Sequence, residues 1–225
     1  MYIRSIVGAL AGLVLTTNAQ AAIINGDFSS AIALDGWSFL GNVTENDPAS
    51  PGQRAILNTS GGTTNTSAIN SALGINIATV TSSNTGGSFS NGSFLYQSFT
   101  VTGIGELSFE WNFLSNAGGF NNGHDYAFFV LQAVATELAE WPGDVSVVAQ
   151  SGFSQSSGFE TTTVSGLAAG SYLLGFGVVN VNGTGGDSGL LIDNVALADD
   201  TPTVPVPATA ALLGLGLIGL RRRAS

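Results

Sequence analysis

An all-β fold, a two-sheet β-sandwich of jelly-roll type, is the class this sequence predicts, on three observations. The body is rich in Gly, Ser, Thr and Asn and poor in helix formers. Its apolar residues fall in short runs separated by turn residues, the pattern of many short strands. The clearest run, Leu107 to Phe113, alternates Leu107, Phe109, Trp111 and Phe113 with Ser108, Glu110 and Asn112. That is the period-two pattern of a sheet with one wet face. Short strands that must each bury a face close into two packed sheets.

In chain order, residues 1–21 read as a secretory signal: Arg4 is the positive n-region, Ile6 to Leu15 the apolar h-region, and Ala19-Gln20-Ala21 a small-residue cleavage site. Thr16, Thr17 and Asn18 break the apolar run too early for a membrane span. A single sandwich domain is predicted over 22–198, with strands at Ile23 to Phe28, Gly36 to Leu40, Ile75 to Val80, Phe94 to Val101, Leu107 to Phe113, Asp125 to Leu131, Asp144 to Ala149, Ser171 to Val179 and Leu190 to Leu197. The segments around Tyr126 to Leu131 and Tyr172 to Val179 are apolar on both faces, which predicts central strands. Asn58 to Ser71 and Thr81 to Gly92 read as exposed Ser/Thr/Asn/Gly loops. Ala133 to Trp141, with Glu137 and Glu140 on one side and Pro142 after it, reads as the one helix of the body. A linker at 199–203 leads to a separate segment at 204–225.

Charge narrows the partners. Of the 5 basic residues, Arg4 lies in the signal and Arg221 to Arg223 at the C-terminus, so Arg54 alone serves a body holding all 15 acidic residues. That field repels nucleic acid and anionic lipid and suits hard cations and neutral polymers. With no cysteine, disulfides, thiolate metal sites and thiol nucleophiles are excluded. Packing, together with any bound ion, must supply the stability of the exported domain.

The C-terminal segment has three parts in order: Val204-Pro205-Val206-Pro207, an apolar run from Ala208 to Leu220, and Arg221, Arg222 and Arg223. The prolines hold the chain extended outside the apolar run. A helix over 208–220 rises roughly 20 Å, short of the ~30 Å hydrocarbon core, which suits a transient insertion better than a permanent span. The terminal arginines orient it with the extreme C-terminus cytoplasmic. This segment resembles the PEP-CTERM sorting signal in its valine-proline variant, Val206 standing where the family most often has glutamate. The resemblance implies an exosortase-type membrane processing enzyme as partner, and delivery to the cell surface or the exopolysaccharide matrix. An ordinary tail anchor is the alternative.

A second resemblance lies in the body. INGDF (Ile24 to Phe28) with Gly36-Trp37, and LLIDNVAL (Leu190 to Leu197), look like the first and last strands of carbohydrate-binding-module-type, galactose-binding-like jelly rolls. FLYQSFTV, LSFEWNFL and HDYAFFVL are similar to a domain of PEP-CTERM surface proteins. The first resemblance implies a structural calcium where the two ends of the domain meet, with Asp27 and Asp193 as matching acidic ligands. Ser29 departs from the glutamate usual in such modules. By parity Asp193 shares a face with Leu191 and Val195, which means either a local bulge or a carboxylate turned inward. The alternative is an aspartate satisfied by backbone N–H groups at a strand end.

For catalysis, the one histidine, His124, lies beside Asp125 in a Gly/Asn turn and forms no nucleophile–base–orienter set. Glu106, Glu110, Asp125, Glu137, Glu140 and Glu160 are available as carboxylate pairs, but nothing in the sequence sets two across a cleft. Trp37, Tyr96 and Trp141 are the candidates for stacking on pyranose rings, against the competing reading that they are core; Trp111 is predicted core. The function expected is that of an exported, surface-sorted, non-catalytic protein of the envelope or exopolysaccharide matrix. A carbohydrate-binding module is the first alternative and a glycan-acting enzyme the second.

Overall fold

The two sheets interlock through one aromatic layer, and every strand pairing in them is antiparallel. The computed structural model describes residues 22–45, 53–117, 124–146, 148–183 and 186–200. The signal segment, and the sorting expectations for Val204, Pro205, Val206, Pro207 and Arg221 to Arg223, lie outside the described residues. In order the elements are β1 (Ser38–Leu40), β2 (Asn42–Glu45), β3 (Ala55–Asn58), α1 (Thr66–Leu73), α2 (Ile77–Thr85), β4 (Phe89–Val101), β5 (Ile104–Ser115), β6 (Tyr126–Leu131), β7 (Val134–Glu140), β8 (Gln155–Ser156), β9 (Glu160–Leu167), β10 (Gly170–Val181) and β11 (Ser188–Asp200). One sheet runs β1-β4-β10-β6-β7, the other β2-β3-β11-β5-β8, with β9 also pairing β5. This is the jelly-roll β-sandwich the alternation predicts.

Between the sheets, Leu95, Phe99, Phe129, Phe176 and Val178 meet Leu57, Phe109, Trp111, Phe113, Leu190 and Ile192. The Phe109 ring stands edge-on to Phe176 at 4.9 Å and to Phe129 at 5.3 Å, the geometry aromatic quadrupoles favour. β6 and β10 are central and apolar on both faces, as their composition predicts, because the outer face of their sheet is also covered. There Ile69, Leu73, Ile75 and Ile77 of the α1–α2 region pack on Phe94, Tyr126, Phe128, Val130 and Val179. Gly175 permits the approach, since a Cβ there would lie 2.6 Å from Leu73 Cδ2.

Five local expectations are corrected. Ile75 to Val80 is not a strand: Ile77 opens α2, its N–H donating to Asn70 Oδ1 at 2.8 Å and its side chain fully buried. Capping and burial outweigh β-propensity there. The loops expected at Asn58 to Ser71 and Thr81 to Gly92 hold α1, capped by Asn65, the end of α2 and the start of β4. Ala133 to Trp141 is not a helix but the strand β7. Gln132 and Ala133 have φ of 52° and 61° and make a two-residue turn between Leu131 and its partner Val134. Such turns usually carry Asn-Gly, and a bulge after Ala127 breaks the alternation, so the hairpin left no sequence signal. Ile23 to Phe28 forms no strand but a turn segment whose Ile24 N–H and C=O are both held by the Gln97 side-chain amide. Among the described residues of Asp144 to Ala149 only the isolated bridge Ser146–Ser156 is strand-like.

Candidate functional site

With helices over the five-stranded sheet, the sheet face that the described residues leave open is the outer face of the six-stranded one. Alternation from the buried set assigns to it Arg54 and Ile56 next to and in β3, Leu191 and Asp193 in β11, Glu106, Ser108, Glu110, Asn112 and Leu114 in β5, and Thr161, Thr163 and Ser165 in β9. One end is covered by the 148–157 segment. Its Phe153 packs on Leu114 and Leu191, while fully buried Asn112 donates to Gln150 Oε1 and accepts from Ser156 Oγ, both at 2.9 Å. Shallow cavities flank the face, about 410 Å³ beside this segment and about 340 Å³ at the far end, lined by Ile104, Glu106 and Ser165.

The centre is organised by Arg54. Its Nε donates to Asp193 Oδ2 at 3.1 Å, and its guanidinium carbon stands 4.4 Å from the centroid of the Phe159 ring, a residue left 41 % exposed. Both members of the ion pair are largely withdrawn from solvent. Burial raises the Asp193 carboxyl, with Glu110 adding to the rise; the Asn194 N–H and Arg54 oppose it. Glu110, the cross-strand partner of Asp193, accepts from Asn194 Nδ2 at 3.0 Å. Around this cluster Thr161, Thr163 and Ser165 line the exposed edge.

Of the two alternatives for Asp193, the bulge is what the chain adopts. Register shifts between Asp193 and Ala196 and Asn194 takes a φ of 50°. Asp193 therefore faces outward with Leu191 while Val195 turns into the core. Gly26 meets this bulge: its C=O accepts from Val195 N–H at 2.8 Å, and a Cβ on it would overlap the Val195 carbonyl. The two ends of the domain thus touch through backbone. Asp27 is exposed and engaged with the N–H and hydroxyl of Ser29, bonds that lower its carboxyl. Asp193 Oδ2 accepts from Arg54 and its Oδ1 from Asn194 N–H at 2.7 Å.

The predicted stacking residues lie elsewhere. Trp37 is core, 7 % exposed, stacked on Phe28 at 5.6 Å with its indole N–H given to Asn25 C=O, so no ligand reaches its ring. Tyr96 is partly buried against the helix-side cluster and Trp141 against the main core. Trp111 is core, as predicted, and its N–H donates to Thr162 Oγ1. Phe159 and Asn194 escaped sequence reasoning, and Glu110 was named only as one of several available carboxylates. The available signals were the lone cation of the body and the polar alternation of Thr161, Thr163 and Ser165.

His124 Nδ1 lies 3.4 Å from Glu140 Oε2, and the carboxyl of Glu137 nearby is raised by burial and by the charges of Glu140 and Asp144. Glu106 accepts from Ser165 and Glu160 is exposed. Glu110 and Asp193 are adjacent carboxylates, yet both sit on an open face with their partners in place. Among the described residues no three His, Cys, Asp or Glu converge as a metal site, and no helix is long and apolar enough to cross a membrane.

No protein-family model and no curated protein matches the chain. Solved structures resemble it in architecture. One is the carbohydrate-binding module TmCBM61 in complex with β-1,4-galactotriose: identity 13 %, TM-score 0.39, covering 80 % of this chain and 95 % of the module. Another is the module TmCBM27, described for specific mannan recognition: identity 17 %, TM-score 0.42, covering 78 % and 95 %. A third is the K3 adhesin domain of Lys-gingipain from Porphyromonas gingivalis W83: identity 14 %, TM-score 0.40, covering 80 % and 100 %.

Proposed function

We propose that this is an exported, non-catalytic surface protein whose body binds a neutral polysaccharide on the open face of its six-stranded sheet. The observation that carries the reading is the Phe159 ring, partly exposed and braced by Arg54, on a face that also carries Glu110, Asn194 and the hydroxyls of Thr161, Thr163 and Ser165. A sugar offers an apolar CH face for an aromatic ring and hydroxyls for such polar groups. The acidic body disfavours anionic ligands. A glycan array followed by titration calorimetry tests this. Phe159→Ala should weaken the best glycan at least ~10-fold, about 1.4 kcal/mol, with little change in melting temperature. An array with no binder, or unchanged affinity in Phe159→Ala, would remove the face from the account.

Surface delivery by the C-terminal segment is part of the same proposal, with an exosortase-type membrane enzyme as partner and the exopolysaccharide matrix as destination. Val204 to Pro207 followed by an apolar run and three arginines supports it. Intact-mass measurement of protein released from the cell surface should show a chain lacking Arg221 to Arg223. Recovery of the full-length C-terminus there would refute the sorting step.

A further inference from the structure

At the end of the sandwich where β10 finishes and β6 and β11 begin, the space between the sheets is polar. Tyr126 pairs with Val179, so Asp125 stands opposite Asn180, and Asn180 pairs with Asn91. Three adjacent strands thus present Asp125, Asn180 and Asn91 in a row. Alternation from Ala127, Val178 and Leu95, all in the inter-sheet core, turns all three side chains toward the other sheet. Facing them are Thr59 and Ser188, both fully buried and tied to each other by Ser188 N–H to Thr59 Oγ1 at 2.8 Å and Thr59 N–H to Ser188 C=O at 2.9 Å.

The hydrogen-bond inventory of this row lacks donors. Asp125 accepts from Val181 N–H and Ser188 Oγ, both at 2.9 Å, and Asn91 gives its Nδ2 to Thr59 C=O at 3.0 Å. The amide oxygens of Asn91 and Asn180 are buried with no partner. Two orphaned acceptors side by side are unusual in a native core. Asp125 is 3 % exposed, and among the described residues no cation faces it: Arg54 is engaged with Asp193, and the charge felt by Asp125 is that of Asp187. Burial pushes its carboxyl up to about 6, Asp187 adding to the rise against its two hydrogen bonds. A buried carboxylate beside two unsatisfied amide oxygens is a set of hard oxygen donors without a counter-charge.

We infer that this row binds a hard divalent cation of calcium type, with the Asp125 carboxylate and the Asn91 and Asn180 amide oxygens as its side-chain ligands and water completing the shell. The ion bridges β4, β10 and β6, and through Ser188 and Thr59 it ties both sheets together at this end. The site is separate from the meeting of Gly26 with the β11 bulge and independent of the glycan-binding face.

The full chain, freed of metal with a chelator, is titrated with calcium by calorimetry and melted with and without it. Saturable binding is expected, and at free calcium ~100-fold above Kd the unfolding equilibrium constant should fall about 100-fold. Asp125→Asn keeps an acceptor for Val181 N–H and can donate its Nδ2 to the Ser188 hydroxyl oxygen, so it is expected to fold and to lose the response. Asn180→Ala, a second folded variant, should weaken binding at least ~10-fold, whereas Asp193→Ala should retain it. No calcium response in the wild type would overturn the inference; a water shared by the two amides, or an Asn180 amide rotated to donate to Asn91, gives that result. A response kept in Asp125→Asn and lost in Asp193→Ala would overturn it equally, placing the ion at the closing strand.

Discussion

Phe176→Ala is expected to cost about 3–5 kcal/mol, the largest loss foreseen for a single truncation in this domain. Phe176 is fully buried at the middle of β10, a central strand. Its ring meets Phe109 of the other sheet edge-on at 4.9 Å and Trp37 of the N-terminal segment at 6.1 Å. Removing it opens a cavity where three parts of the chain converge. The Phe109 and Phe129 rings lock one another at 5.3 Å, which limits their movement into it. For a domain of this size the loss should lower the melting temperature by roughly 10 °C or more. Phe176→Leu, which keeps most of the volume, should cost less than half as much. Urea unfolding of the three proteins measures both figures, and a cost below about 1 kcal/mol for the alanine variant would show that the sheets do not depend on this cluster.

The parts of the fold that could be read beforehand are those set by alternation and burial. Leu107 to Phe113 announces β5 because one face is core and the other wet, and the two doubly apolar segments announce the centre of a sheet covered on both sides. The meeting of the domain's two ends was also legible. Ile24-Asn25-Gly26 serves as a turn that meets the β11 bulge through backbone, a contact that requires the absence of a Cβ at Gly26. What stayed hidden depends on distant pairing. β7 is a strand because its two-residue turn returns it onto β6, and Glu137 and Glu140 fit the helical spacing only by coincidence with a bulge. Phe159 becomes a surface feature only once β9 is registered on β5 and Arg54, far away in the chain, lies across the face. The orphaned oxygens of Asn91 and Asn180 likewise exist only in the register of β4 on β10.

Arg54→Met tests whether one cation organises the open face. Methionine retains much of the aliphatic packing but leaves the Asp193 carboxylate, nearly withdrawn from solvent, without its counter-charge and beside Glu110. An ion pair broken on one side leaves the desolvation of the remaining charge uncompensated, and a loss of about 3 kcal/mol is expected, the low end for buried pairs. Asp193→Asn in the same background removes the stranded charge while keeping an acceptor for the Asn194 N–H at 2.7 Å, so the double variant should recover most of the loss. The interaction term of the double-mutant cycle isolates the pair from the packing of Arg54 on Phe159. Glycan affinity provides the second readout. If the guanidinium holds the ring in place, the double variant regains stability and not affinity, because Phe159 has lost its brace. Equal stability of Arg54→Met and wild type in chemical denaturation would mean that the pair contributes no more than an exposed surface bridge.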